Sequence, residues 1–233
     1  MLKTILFDLD GSLLPLDEKA FIQIYFGGVA KRFASIYNPE EFIQAIWQGT
    51  IAMIDNDGKS TNEEAFWNMF KKLIKGDYEF IENEFLNYYL SDFKDVQAVC
   101  KLDPYSRKII DLLKEKGYQL VLATNPLFPK VATKERIKWA GLDESAFDLI
   151  TTYEDNYYCK PKLEYYQNIL KRIGRNPEEC LMVGNDIRED MVVEKLGMQT
   201  YLLTECLINP ENQDISKYQH GSLKDLFQLI SNK

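Results

Sequence analysis

The chain has 233 residues, of which 45% are hydrophobic and 27% are charged, and its formal net charge is −8. This composition is typical of a folded globular protein and is too apolar for a disordered chain. The acidic balance repels polyanions and no basic stripe offsets it, so we expect no nucleic-acid partner.

No apolar run approaches the roughly 20 residues that a bilayer span needs, and acidic residues follow the first apolar run too early for a secretory signal. We therefore expect a cytoplasmic protein with no membrane partner. The four cysteines (Cys100, Cys159, Cys180 and Cys206) stand far apart with no C-x-x-C pair, which argues against a disulfide framework or a zinc site. The single histidine, His220, is interpreted as structural.

Residues 1–14 and 100–204 alternate short apolar runs with helical patterns. Strands are predicted at 4–9, 118–124, 147–151, 180–184 and 200–204, and helices between them at 104–117, 130–141 and 162–174. Strands that are buried on both faces have continuous apolar runs, and their alternation with helices indicates a parallel sheet. The predicted fold class is α/β, a doubly wound parallel sheet with helices on both faces.

Residues 16–98 contain almost no strand-like run, and their apolar residues recur at helical spacing. This pattern predicts a bundle of about four helices, with Thr61 or Asn62 as one N-cap. The stretch DNDGKSTN (55–62) is only superficially similar to a calcium loop, because Met53 would occupy its first position. We therefore divide the chain into an α/β core, residues 1–15 and 99–233, and a helical cap, residues 16–98.

The first predicted strand ends in two aspartates, Asp8 and Asp10, which Gly11 follows. If the strand continued that far, the two side chains would lie on one face with Cα atoms about 6.6 Å apart. Carboxylates this close repel each other unless a cation lies beside them, and Mg²⁺ prefers oxygen ligands. A simple turn after a strand is the alternative interpretation, since Asp-Gly is a common turn pair.

Polar residues also follow the second predicted strand, where Thr124 and Asn125 stand before a helix. A hydroxyl group and the free N–H groups of a helix N-terminus are suited to binding phosphate. Asn125 followed by Pro126 is equally typical of a helix N-cap and first helical residue.

The third and fourth strands add Lys160, just before a helix, and an acidic cluster that contains Asn185, Asp186, Glu189 and Asp190. Acidic residues in a first helical turn also favour the helix dipole, so this cluster alone decides little. In open α/β sheets, however, ligands bind at the carboxyl ends of the strands. The succession of a carboxylate pair, a hydroxyl, a lysine and an acidic cluster therefore predicts a single site.

These residues resemble the motifs of the haloacid dehalogenase (HAD) superfamily of hydrolases, in the branch with a helical C1-type cap inserted after the first strand of a Rossmann-like core. DLDGSLL is similar to the first motif and ATN to the second, while Lys160 with Pro161 is similar to the third and GNDIRED to the fourth. The resemblance covers the whole chain.

The resemblance implies a role for each matching residue. Asp8 would be the nucleophile, Asp10 the general acid and then the general base, and Lys160 the group that neutralises charge. Phosphate would be bound by Thr124, Asn125, Gly11 and Ser12.

The cofactor implied by the resemblance is Mg²⁺, held by Asp8, the backbone carbonyl of Asp10 and an acid of the fourth motif. That motif reads G-N-D where the family often has G-D, so the choice between Asn185 and Asp186 stays open. Asp190 would bind the ion through water or orient Lys160.

The function that follows is Mg²⁺-dependent hydrolysis of a small phosphorylated metabolite through an aspartyl phosphate, with the cap closing over the site and governing substrate choice. A carbon–halogen hydrolase typically lacks the second aspartate, so Asp10 argues against it. A phosphosugar mutase and a catalytically silent binding protein remain as alternatives, although a silent protein has no chemical need for Asp8, Asp10 and Lys160 together. Either a monomer or a homodimer is compatible with the sequence.

Overall fold

The computed structural model describes residues 1–232, and within them a six-stranded parallel sheet forms the centre of the molecule. Its strands are β1 (Thr4–Phe7), β2 (Gln119–Leu122), β3 (Leu149–Ile150), β4 (Cys180–Gly184), β5 (Gln199–Leu203) and β6 (Gln219–Gly221). They lie in the order β3-β2-β1-β4-β5-β6. The predicted parallel sheet is confirmed. The edge strand β6 was not predicted, because its Gln-His-Gly sequence has no apolar run.

Eight α-helices accompany the sheet within the described residues. Those inserted between β1 and β2 are α1 (Glu18–Phe33), α2 (Pro39–Ile54), α3 (Asn62–Leu73), α4 (Tyr78–Leu90) and α5 (Pro104–Glu115). The later ones are α6 (Lys130–Trp139), α7 (Leu163–Ile173) and α8 (Leu223–Ser231). A 3₁₀ helix (Asp92–Val99) joins α4 to α5, and three shorter ones lie at Glu144–Ala146, Pro177–Glu179 and Met191–Leu196.

The sheet is buried on both faces because side chains alternate along each strand. Ile5 and Phe7 of β1 pack into the large apolar core that contains residues of α5, α6 and α8. Leu6, between them, packs on the opposite face against α7. This two-sided burial is why the strands appear in the sequence as continuous apolar runs.

Helices α1 to α4 form the predicted bundle over one end of the sheet. Thr61 caps α3 in a capping box with Glu64, so the first of the two proposed caps is confirmed. The chain enters and leaves the bundle at one place, where Leu16 and Cys100 form an antiparallel bridge. No helix of residues 1–232 has the length and apolarity that a membrane crossing requires.

The cap is docked on the core by polar contacts at the start of α3. Asn62 is fully buried, and its amide donates to the carbonyl of Pro126 at 3.1 Å and to the thiol of Cys159 at 3.3 Å. The Lys162 ammonium adds a bond to the carbonyl of Asn56 at 2.6 Å. These bonds hold the bundle over the carboxyl ends of the strands.

Candidate active site

The loop after β1 carries the two aspartates of the first motif. The Asp8 N–H continues the sheet by donating to Val183 at 2.9 Å, and the chain then turns, because the Leu9 carbonyl accepts from the N–H groups of Ser12 and Leu14. Strand β1 thus ends at Phe7, two residues before the predicted end at residue 9, and the condition that it continues to Asp10 is not met. This turn, and not an extended strand, positions the two carboxyl groups.

Gly11 lies in the left-handed region with φ of +77°, and a Cβ atom there would overlap the side-chain amide of Asn185. Asn185 in turn accepts from the Ser12 hydroxyl at 2.9 Å and donates to the carbonyl of Cys206 at 2.6 Å. The Ser12 hydroxyl that we assigned to phosphate is thus used to hold the turn. Both side chains hold the shape of the loop that carries Asp8 and Asp10.

Lys160 lies behind Asp8 and is almost fully buried. Its ammonium donates to Asp8 at 2.8 Å and to Asp190 at 2.7 Å. Burial opposes the charged form, but the carboxylates of Asp190 and Asp8 outweigh it and hold the pKa of Lys160 well above its usual value. The lysine is therefore a fixed positive charge beside the proposed nucleophile.

Asp190 connects Lys160 to the loop after β4. Its second oxygen accepts from the backbone N–H of Asp186 at 3.0 Å, and it occupies the space beside Gly184, where any Cβ would overlap the carboxylate. Burial raises the pKa of Asp190 to about 6, and the charge of Lys160 limits the rise. Of its two predicted roles, the geometry favours orientation of Lys160.

The residues after β2 form the opposite wall. Thr124 is buried, and its carbonyl accepts from Thr151 and Tyr165. Asn125 accepts from the backbone N–H of Lys160 at 3.3 Å and donates to Glu189 at 3.2 Å. The alternative interpretation of Asn125 as a helix cap is wrong, because α6 begins only at Lys130.

Asp10 is held by a residue that the sequence analysis missed, Arg136 of α6. The Arg136 guanidinium is buried, forms an ion pair with Asp10 Oδ2, and stacks 4.5 Å from the ring centroid of Phe128. The other oxygen, Asp10 Oδ1, is buried and has no hydrogen-bond partner among the described residues. Burial raises the pKa of Asp10 above its usual value, and the charge of Arg136 opposes that rise.

Arg136 could have been identified from the sequence by its position on the buried face of the predicted helix. It lies one turn after Ala132 and Thr133 and next to Ile137, all of them buried residues of α6. A basic residue on the buried face of a helix needs an acidic partner, and here the helix directly follows a strand with motif residues.

The predicted residues converge on a cleft of about 670 Å³. Its walls include Asp8, Asp10, Gly11, Thr124, Asn125, Asn185, Asp186, Glu189 and Asp190. Lys160 and Ser12 do not line the cleft. Lys160 is hydrogen-bonded to Asp8 of its wall, and Ser12 is hydrogen-bonded to Asn185. Burial raises the pKa of the Glu189 carboxyl group to about 7.

The chemistry of the oxygen donors fits a hard cation such as Mg²⁺. Asp186 accepts the N–H groups of Arg188 and Glu189 through Oδ1, which fixes the carboxylate so that Oδ2 can bind a cation. Among residues 1–232, no group of three or more His, Cys, Asp and Glu side chains has metal-binding geometry. Two carboxylates and a backbone carbonyl do not form such a group, and Mg²⁺ usually completes its shell with water and phosphate.

Comparison with known proteins places this geometry in context. A family model described as haloacid dehalogenase-like hydrolase matches residues 2–192. The glyceraldehyde 3-phosphate phosphatase of Methanocaldococcus jannaschii is 29% identical, over 100% of this chain and 98% of that protein. The pyrophosphatase PpaX of Bacillus cereus is 25% identical, over 99% of this chain and 97% of that protein.

Solved structures share the fold at lower identity. A HAD phosphatase from Thermococcus onnurineus superposes with a TM-score of 0.62 and 20% identity, over 100% of this chain and 99% of that chain. YfnB from Bacillus subtilis, bound to magnesium, gives 0.58 and 22%, over 99% of each chain. The L-2-haloacid dehalogenase PA0810 gives 0.59 and 13%, over 100% of each. The resemblance inferred from the motifs is confirmed, and the fold alone does not distinguish the reactions of these neighbours.

Proposed function

Because the chain belongs to the haloacid dehalogenase-like hydrolases, we propose that it is a Mg²⁺-dependent phosphatase that hydrolyses small phosphomonoesters through an aspartyl phosphate. The observation that carries the proposal is the buried Lys160 ammonium, which lies between Asp8 and Asp190 at the edge of the cleft. A buried cation that holds a carboxylate beside an open cleft is suited to a nucleophile that must accept a phosphoryl group.

In the first step, a carboxylate oxygen of Asp8 attacks phosphorus and forms a new P–O bond. The bond between phosphorus and the ester oxygen breaks, and its electron pair stays with the departing alcohol oxygen. Asp10 donates a proton to that oxygen, so the products of this step are the free alcohol and phosphorylated Asp8.

In the second step, water attacks the same phosphorus. Asp10, now a carboxylate, accepts the proton of the water, and the bond between phosphorus and Asp8 breaks. Inorganic phosphate is released, and both aspartates return to their starting states. One proton leaves Asp10 and one returns to it in each cycle.

Charge neutralisation is divided between Lys160 and the metal. The Asp8 carboxylate, the Asp10 carbonyl and Asp186 would hold Mg²⁺, since the Asn185 amide is already used by Ser12 and Cys206. When bound, the ion supplies positive charge against the phosphoryl oxygens. Thr124 and Asn125 line the cleft on the side where those oxygens would be oriented.

The position of Asp10 supports its acid and base roles. A carboxyl group whose pKa is raised can carry a proton to the leaving oxygen, and the Arg136 guanidinium favours the carboxylate that the second step needs. This requirement for a second aspartate separates the proposal from carbon–halogen hydrolysis. The relatives named as phosphatases support the same choice of reaction.

The decisive experiment measures phosphate release from p-nitrophenyl phosphate and a panel of metabolite phosphates. We expect turnover with Mg²⁺ and none after treatment with EDTA, with recovery when Mg²⁺ is added back. Asp10→Asn should accumulate a protein species heavier by one phosphoryl group, because the leaving group departs as p-nitrophenolate and needs no proton, whereas hydrolysis of the intermediate needs the base.

Three results would redirect the proposal. Release of halide from a 2-haloacid would identify a dehalogenase. Interconversion of phosphosugar isomers without phosphate release would identify a mutase. Failure to hydrolyse any phosphomonoester, with Mg²⁺ present and the protein folded, would favour the catalytically silent binding protein.

A further inference from the structure

A second cavity of about 290 Å³ lies between the cap and the core and opens onto the charged cleft. Asp10, Leu16, Glu18, Leu127 and Phe128 line both spaces. Asp10 is the proposed donor of the proton to the departing alcohol. The continuity at this residue places the second cavity where the leaving group of a phosphomonoester would extend.

The wall of this cavity is apolar and mostly aromatic. Ten of its nineteen lining residues are aromatic and six are aliphatic or proline, so hydrocarbon is the surface that a ligand would meet. Its charged residues, Asp10 and Glu18, are both acidic, and no Lys, Arg or His among the described residues lines it. A second phosphate or a carboxylate would be repelled there without a compensating cation.

Three of the four hydroxyl groups of the wall are already paired. The hydroxyls of Tyr25 and Tyr89 are bonded to each other at 2.9 Å, and the Thr50 hydroxyl donates to the Ile46 carbonyl at 3.0 Å. Arg136 lies behind Phe128 and is paired with Asp10, so it is not available to a ligand in the cavity. The several hydroxyl groups of a sugar would lose their water here and find few partners, chiefly near Asp10, which is unfavourable.

The outer rim of the cavity exposes apolar side chains to solvent. Ile22 is 39% exposed, Trp47 48% and Ile54 39%, and all three line the cavity. Solvent-exposed apolar side chains grouped at the mouth of a concave apolar site are typical of ligand entry. The rim lies on α1 and α2, so an apolar ligand would be covered mainly by the cap.

From these observations we infer that the physiological substrate is the phosphomonoester of an apolar alcohol, whose hydrocarbon part fills the cavity between cap and core. The inference rests on the proposed phosphatase function and adds the class of leaving group. A cavity of about 290 Å³ has room for a hydrocarbon group of several carbons, since roughly 10–15 Å³ in a comparable measure suffices for one water. Bisphosphates, pyrophosphate and phosphorylated acids do not match this cavity.

The test uses the full chain with Mg²⁺ and a series of n-alkyl phosphates from ethyl to decyl, each below its micelle-forming concentration. The alcohols of this series have similar leaving-group chemistry, so chain length changes mainly the buried apolar surface. We expect kcat/KM to rise about three- to fourfold per methylene and to level off when the cavity is full. Glycolate 2-phosphate and pyrophosphate should be poorer substrates than octyl phosphate.

A variant that fills the cavity sharpens the test. Thr50→Phe should lower the ratio of kcat/KM for octyl phosphate over ethyl phosphate about tenfold, because the added ring occupies the space of the alkyl chain. Ile51→Phe is the matched control, since Ile51 is the next residue of the same helix, is 36% exposed and does not line the cavity. The control should keep the wild-type ratio.

Binding of the product alcohol provides a readout that does not need catalysis. Trp47 and Trp67 line the cavity, so 1-octanol should change the tryptophan fluorescence of the wild type and change that of Thr50→Phe much less. Hydrolysis of ethyl and polar phosphates with no gain along the alkyl series, together with unchanged fluorescence, would overturn the apolar assignment and leave the phosphatase proposal intact. Absence of turnover on every phosphate would overturn both.

Discussion

Two adjoining cavities of this protein have opposite chemical character. The cleft at the strand ends is lined by carboxylates, amides and a hydroxyl, with Lys160 fixed behind Asp8. The cavity under the cap is lined mainly by aromatic and aliphatic side chains, and three of its four hydroxyls are paired. Only the residues around Asp10 belong to both.

Under the proposed function, the reaction is assigned to the sheet edge and substrate selectivity to the cap. The charged groups are fixed by the sheet edge, where buried ion pairs and backbone N–H groups determine each position. The apolar wall is made largely by cap helices, where any change of side-chain volume alters the space offered to a ligand. Substitutions in the cleft should therefore abolish turnover, whereas those in the cap should change substrate preference.

The largest expected effect is the loss of the nucleophile. Asp8→Asn keeps the shape of the side chain but removes its nucleophilic oxygen, so kcat with p-nitrophenyl phosphate should fall by at least about 10⁴-fold. Circular dichroism and the melting temperature should show that the variant is folded. Turnover equal to the wild type would discard the aspartyl phosphate mechanism.

The buried charges of the cleft should also dominate stability. Lys160→Met leaves the Asp8 and Asp190 carboxylates buried without their cation, so the free energy of unfolding should fall by about 4 kcal/mol. Adding Asp190→Asn to this variant should recover part of the loss without restoring activity. If Lys160→Met alone were as stable as the wild type in urea denaturation, the ion pairs of Lys160 would not contribute to the free energy of unfolding.

Arg136 lines neither cavity, but its guanidinium holds Asp10, which is one of the residues that line both. Arg136→Met should lower kcat for ethyl phosphate about 100-fold, because Asp10 loses the guanidinium that orients its carboxylate. The loss should be smaller for p-nitrophenyl phosphate, whose leaving group needs no proton. Arg136→Lys, which keeps a cation, should recover part of the activity.

Equal losses on both substrates would show that Arg136 supports the fold and not the proton transfer. This comparison requires only steady-state kinetics on the three proteins.

Glu189 should make the stability of the cleft depend on pH. Burial raises its pKa from the usual 4.5 to about 7 in the folded protein, so the folded state binds the proton more tightly. This contribution is complete below about pH 4.5 and is lost as the pH rises through 7. Relative to Glu189→Gln, the wild type should therefore lose about 2 kcal/mol between pH 4.5 and 8 in EDTA, which allows for partial exposure. A difference between the two proteins that stays constant with pH would contradict this.

The smallest expected effects come from removing one helix N-cap in the cap and one in the core. Thr61→Ala removes the capping box of α3 in the cap, and Ser222→Ala removes that of α8 in the core. Each should cost about 1 kcal/mol of stability. Only Thr61→Ala should also raise KM, because α3 starts at Asn62, which docks the cap on the core. Equal KM values in both variants would show that docking of α3 on the core does not affect substrate binding.

The charged cleft was largely predictable from the sequence because its residues follow apolar strands. Asp8, Thr124 and Asp186 come directly or shortly after such runs, and the carboxyl ends of parallel strands meet at one edge. The family, the parallel sheet and the helical bundle are confirmed. The catalytic and metal-binding roles, the domain boundaries, the cytoplasmic location and the oligomeric state stay predictions.

The apolar cavity was not predictable, because helical spacing identifies an apolar face but not what that face contacts. Phe66 and Phe70 are one turn apart on α3, yet only Phe66 lines the cavity, while Phe70 is fully buried in the bundle. The partnership of Arg136 with Asp10 was hidden for a similar reason, since it joins positions 126 residues apart. Such pairings depend on how the helices pack in three dimensions.

Gly184 limits how this protein can diverge. The carboxylate of Asp190 occupies the place that a side chain at this last residue of β4 would need, and from there it holds Lys160. Even alanine at position 184 would displace the Asp190 carboxylate, which binds Lys160, although the glycine itself contributes no functional group. A single substitution in the cap can therefore alter substrate selectivity during evolution, whereas a single substitution of Gly184 would disturb the ion pair between Asp190 and Lys160.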